Sequence, residues 1–156
     1  MSEIQVPVTG DCLCEAIRYE LTEPPVKAGV CHCRICQKST GSAFEVGAMF
    51  NQSAFCITKG EPKLYRSSSI MDKGFCSNCG SLLFDKYLVQ VPGFDADTVF
   101  VQVGTLDHPE AVSIEFHYGV ESQLPWVHFD DGLPRTRCDD DPELALAFET
   151  AKVGEE

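Results

Sequence analysis

A chain of 156 residues, 44% apolar and 10% aromatic, can bury one core and is too short for two ordinary domains, so a single domain over residues 1–156 is expected. Its 24 acidic against 12 basic side chains give a formal charge of −12, which argues against a nucleic-acid partner because a phosphate backbone needs a basic face. No apolar run approaches the roughly 20 residues of a membrane span, and Met1 to Val6 has neither the basic start nor the apolar stretch of a secretory signal, so the expectation is a cytoplasmic location and no membrane partner.

The pattern is mainly β. Apolar and polar residues alternate through Ala16-Ile17-Arg18-Tyr19-Glu20-Leu21, as in a strand with one buried face, and Thr22-Glu23-Pro24-Pro25 breaks it. A single helical turn over 36–40 is stopped by Gly41. Further strands are expected over 43–50, 54–58, 62–66, 81–87, 98–104 and 113–118, with Gly60, Gly74, Gly80, Gly93 and Gly104 between and within them. Near the end, Asp141 can cap a helix over 141–152 with Pro142 at its first position, and Leu144 and Phe148, four apart, share its buried face. The sum is one small antiparallel β domain with a short C-terminal helix. Metal bound between distant hairpins of such a domain would contribute folding free energy directly.

Seven of the nine cysteines fall into three clusters: Cys12-Leu13-Cys14, Cys31-His32-Cys33-Arg34-Ile35-Cys36 and Cys76-Ser77-Asn78-Cys79. In a reducing compartment such clusters read as metal ligands, and an odd count leaves at least one thiol outside any disulfide scheme. Four thiolates close the shell of one zinc ion, whereas three leave a position for water or substrate. Phe75-Cys76-Ser77-Asn78-Cys79-Gly80 is a zinc knuckle, with Gly80 permitting the tight turn around the metal. It needs a second pair, from Cys12 and Cys14 or from two of the middle three. The division into four and three makes fuller use of the pattern than one closed site with thiols left over.

Cys56, in Ala54-Phe55-Cys56-Ile57, is expected as a small buried hydrophobe, and Cys138, in an acidic turn, as an incidental thiol. His32 lies between two ligands, either shaping or binding the open site or facing away as a spacer. His117 and His128 read as hydrogen-bonded histidines at strand edges, and His108, before Pro109, as structural. Lys38 and Arg34 are the candidate cations for an anionic substrate beside the middle cluster.

These motifs, in this order, resemble the glutathione-dependent formaldehyde-activating enzyme family. The resemblance runs from Thr9 to Arg135 through Thr9-Gly10-Asp11-Cys12-Leu13-Cys14, Cys31 to Gly41, Phe75 to Leu82, Val103-Gly104-Thr105-Leu106-Asp107 and the stretch from His117 through Pro125-Trp126-Val127 to Pro134. It implies a zinc-stapled fold of the β-tent type with two zinc ions per chain. Cys12, Cys14, Cys76 and Cys79 would hold the structural ion, and Cys31, Cys33 and Cys36 the catalytic one. The implied activity is that of a carbon–sulfur lyase joining a small thiol such as glutathione to an aldehyde such as formaldehyde. Glu15 stands where the family usually has glycine, a departure expected to affect a turn more than the chemistry. A non-catalytic zinc-stabilised module of the same fold, or a sensor that switches on the oxidation of Cys31, Cys33 and Cys36, are the competing readings.

Overall fold

Short runs of alternating β-branched and aromatic residues, cut by glycine and proline, give thirteen strands and two α-helices among the described residues of the computed structural model, which are 3–153. In chain order the strands are β1 (Val8–Asp11), β2 (Arg18–Leu21), β3 (Lys27–Cys31), β4 (Glu45–Asn51), β5 (Phe55–Lys59), β6 (Lys63–Ser68) and β7 (Met71–Phe75). They continue with β8 (Leu82–Tyr87), β9 (Gln90–Val91), β10 (Phe94–Asp95), β11 (Thr98–Gln102), β12 (Phe116–Tyr118) and β13 (Arg135–Thr136). Helix α1 (Arg34–Thr40) follows β3, and α2 (Pro142–Val153) lies at the C-terminal end.

Eight strands form one sheet in the order β13-β12-β3-β4-β11-β8-β7-β6, while β1-β2-β5 make a smaller sheet and β9 and β10 a two-stranded ribbon. From β3 to β6 all neighbours in the large sheet are antiparallel. The antiparallel expectation fails at one edge, where β12 runs parallel to both β3 and β13. A tight hairpin joins only antiparallel strands, and β12 reaches β3 from far along the chain, so that constraint does not act on it.

Alternation sends the two faces of the large sheet into different cores. Val99 and Val101 of β11, Ala48 and Phe50 of β4 and Ala28 of β3 meet Ile17, Tyr19 and Leu21 of the small-sheet layer. Truncating a side chain such as Phe50 there costs about 3–5 kcal/mol. On the other face, Ile70, Tyr87, Val91 and Phe94 gather with Ala147 of α2, and Leu144, Phe148 and Phe100 rest against them. Gly29 of β3 faces this side, and a Cβ there would enter the Phe116 ring.

The strands expected from alternation are present, with ends shifted by up to three residues. Strands β1, β3 and β7 and the two-residue strands β9, β10 and β13 were not expected: Lys27-Ala28-Gly29-Val30-Cys31 and Met71-Asp72-Lys73-Gly74-Phe75 carry glycine and lysine at positions the fold buries or half-buries. Cys56 is exposed, contrary to expectation, because β5 is an edge strand whose outer face meets solvent.

Candidate active site

The first cysteine group is assembled from two hairpin-like turns. Cys12 and Cys14 follow β1, and Cys76 and Cys79 lie in the turn between β7 and β8, where Gly80 (φ 79°) donates its N–H to the Cys76 carbonyl at 2.8 Å. The four sulfur atoms lie within 4.8 Å of one another, with Cys12–Cys14 at 3.6 Å and Cys14–Cys76 at 3.8 Å. Four sulfurs at Zn–S distances of 2.3 Å in a tetrahedron stand about 3.8 Å apart, so this donor set fits zinc. Polar hydrogens already face the sulfurs: Ile17 N–H donates to Cys12 Sγ at 3.3 Å and Asn78 Nδ2 to Cys14 Sγ at 3.2 Å. Hydrogen bonds from Ser81 hold the Cys79 thiol down to about 5, whereas burial pushes Cys12 up to about 11.

The second group is Cys31, Cys33 and Cys36, whose sulfurs also lie within 4.8 Å of one another. Cys31 ends β3, Cys33 caps α1 by accepting from the Cys36 N–H at 3.4 Å, and Gly41 (φ 69°) closes the helix on the Gln37 carbonyl. A two-turn helix has little stability alone. Gln37, buried, locks it by donating from Nε2 to the carbonyls of His32 (2.7 Å) and Ser122 (2.9 Å). Hydrogen bonds from the Cys31 and Cys36 thiols hold Cys33 down to about 2, and the same contacts push Cys31 and Cys36 up. The trio therefore offers three soft sulfur donors within reach of one metal ion.

Cys31 and Cys33 line a cavity of about 480 Å³, which the four-cysteine group does not reach. Behind it sits a buried ionic cluster. Lys73 Nζ of β7 lies 2.8 Å from Asp85 Oδ1 and 3.5 Å from Glu45 Oε2, and Gln102 Nε2 donates to Glu45 Oε1. Two carboxyls share one ammonium, so burial drives one of them to keep its proton: Asp85 is pushed well above the usual carboxylate range. For Glu45, burial is outweighed by hydrogen bonding to Asp85 and the Lys73 charge, which hold its carboxyl below the usual range.

His32 does not join the sulfur group. It is fully buried between Phe44 and Phe129, with Nε2 3.0 Å from His117 Nδ1, and His117 Nε2 lies 2.7 Å from Asp131 Oδ2. Because a carboxylate only accepts, His117 donates to Asp131 and receives from His32, which anchors the cysteine loop to β12. Burial lowers His32 to about 4. His117 is thus a core histidine, while His108 and His128 are at the surface.

Of the two candidate cations, Arg34 borders the cavity and Lys38 instead borders a separate shallow hollow with Trp126. Cys138, read as incidental, also lines the cavity. A Cβ on Gly119 (φ 67°) would lie 3.1 Å from Cys33 Cβ and 3.3 Å from Cys138 Sγ, so the two cysteines close on the same glycine. The cluster of Glu45, Lys73 and Asp85 was missed outright. Its one sequence signal was Asp85 directly after Leu82-Leu83-Phe84 in a strand, an ionisable group where the pattern buries everything.

Comparison with known proteins adds three findings. The family model described as glutathione-dependent formaldehyde-activating enzyme matches residues 7–121. An "uncharacterized lyase" of Schizosaccharomyces pombe is 32% identical over 78 residues, a match that spans 50% of this chain and 56% of that protein's length. A crystal structure of a Rhodobacter sphaeroides protein superposes with a TM-score of 0.50 over 82% of this chain and 98% of its own, at 19% identity, which is a likeness of fold.

Proposed function

The chain belongs to the glutathione-dependent formaldehyde-activating enzyme family, and from that premise we propose that it is a zinc-dependent carbon–sulfur lyase acting on a small thiol and an aldehyde. Cys12, Cys14, Cys76 and Cys79 hold a structural zinc in this reading, and Cys31, Cys33 and Cys36 a catalytic one, in a single domain of the β-tent type spanning residues 1–156. A reducing compartment such as the cytoplasm keeps the seven thiols available to metal. The observation that carries the reading is the asymmetry between the two groups: none of the set of four lines the cavity, whereas the set of three reaches it through Cys31 and Cys33.

In the forward direction the thiol sulfur bonds to the aldehyde carbon, the C=O π pair moves to oxygen, and that oxygen gains the proton the thiol gave up. The reverse step breaks the C–S bond. Cys31, Cys33 and Cys36 would hold a zinc ion whose positive charge would favour a thiolate and polarise a carbonyl. The chain's own contribution is to fix the three donors, through the Cys33 cap and the Gln37 lock, and to exclude water with an apolar cavity wall.

Metal analysis together with NMR detection of hemithioacetal from formaldehyde and a thiol tests the proposal. Two zinc ions per chain are expected, with Cys33→Ser losing one of them and the activity while remaining folded. A single zinc in the unmodified protein, retained in Cys33→Ser, with no hemithioacetal formed, favours a non-catalytic module and overturns the lyase reading.

A further inference from the structure

Beyond the thiols of Cys31, Cys33 and Cys138, most of the cavity wall is hydrocarbon. Ile70, Met71, Phe94, Phe100, Leu144 and Phe148 line it, and its volume of about 480 Å³ falls among pockets that enclose drug-sized ligands, roughly 300–1,000 Å³. Its polar edge carries the acids Glu121, Asp141 and Glu143 and the bases Lys27 and Arg34, while Glu45 and Asp85 are balanced by Lys73. Each cation has a neighbour in the structure. The Lys27 ammonium lies 5.4 Å from the centroid of the Phe116 ring, and Arg34 Nη1 donates to Gln37 Oε1. Lys73 is enclosed by Glu45 and Asp85, and Lys38 faces the other hollow.

Glutathione carries two carboxylates and one ammonium. Seating it here sets three charged groups against a mainly apolar wall, and charge taken out of water without a partner is strongly disfavoured. The wall also lies partly outside the family match. Residues after 121 supply Cys138, Asp141, Glu143, Leu144 and Phe148, so membership in the family does not carry the substrate's non-reacting half with it.

We propose that this cavity selects a thiol whose non-reacting part is an uncharged aryl or branched-alkyl group, in preference to glutathione. The selection rests on the reading of the three-cysteine group as the reacting centre, and it places specificity in α2 and the β9–β10 ribbon.

Calorimetric titration of the zinc-loaded protein with phenylmethanethiol and with glutathione tests it, alongside NMR detection of hemithioacetal from each thiol and formaldehyde. Phenylmethanethiol is expected to bind about tenfold tighter or more. Phe148→Ala should weaken that binding by about tenfold with zinc content unchanged. Glu143→Lys, at an exposed position that tolerates a charge without unfolding, should tighten glutathione and leave phenylmethanethiol unaltered; it carries the variant test if Phe148→Ala does not fold. Equal affinities, a preference for glutathione, or no binding of phenylmethanethiol overturns the proposal. Tight phenylmethanethiol binding with no hemithioacetal from either thiol sustains the selectivity and overturns the lyase reading, whereas hemithioacetal from glutathione alone does the reverse.

Discussion

Glu15 stands in the turn between Cys14 and β2 with φ 63°, the one non-glycine residue of positive φ among the described residues. A left-handed residue with a Cβ carries about 1–2 kcal/mol of strain, and Glu15 tolerates it because its N–H bonds the Cys12 carbonyl at 3.0 Å and so shapes the loop of the first two sulfurs. Glu15→Gly should therefore raise stability by up to about 1 kcal/mol, since glycine's larger unfolded entropy returns part of the relief; an unchanged or lower urea midpoint would show that the turn is unstrained. Lys73 makes the opposite case. Its ammonium neutralises a site holding Glu45 and Asp85, all nearly inaccessible to water. Lys73→Met leaves Glu45 as an unpaired buried charge and should cost about 3–5 kcal/mol. Adding Glu45→Gln should recover a large share, and a loss under about 1 kcal/mol would mean that water reaches the cluster. Lys73 and Asp85 were invisible as a pair in the sequence, because twelve residues separate two ordinary surface types.

Helix α2 illustrates what an element owes to its ends. Pro142 opens it, and Asp141 caps it by accepting from the N–H of Glu143 at 3.0 Å and of Leu144 at 3.4 Å, as the Asp-Pro order suggested. Only the fold adds the other half: Tyr118 donates to Asp141 Oδ2 at 2.6 Å, tying the start of α2 to β12 beside the cavity. Asp141→Ala should cost about 1–2 kcal/mol, measured by denaturant titration. Tyr118→Phe keeps the cap and should cost about 1 kcal/mol or less; equal losses in the two variants would place the effect in the tyrosine contact alone. Strands with clean alternation, such as 18–21, were legible for the same local reason, since one face is apolar. Strands β3 and β7 were not, because their glycines and lysines fit only against particular neighbours, the Phe116 and Phe84 rings and the Glu45–Asp85 pair.

At the scale of the molecule, the two sulfur groups are placed differently. The set of four ties the small sheet, through β1, to the β7–β8 turn of the large sheet, whereas the set of three spans only the step from the end of β3 into α1. A mild chelator should remove the ion of the open site first with secondary structure intact, and removal of the second should cooperatively unfold the domain. Circular dichroism with zinc release checks this, and Cys12→Ser should lower the melting temperature far more than Cys31→Ser. Loss of structure in step with the first ion would reverse the assignment of the two sites.

The seven clustered cysteines, the knuckle glycine and the Asp-Pro helix start were determined by sequence alone, because each is a matter of a few adjacent residues whose spacing fixes local geometry. Which thiols share a site across 62 residues, how an ionic cluster survives without water, and that α2 turns an apolar wall toward Cys31 and Cys33 were decided only by the tertiary structure. Those relations depend on how the two faces of the large sheet are covered, and burial of that kind is a property of the packed chain rather than of any segment.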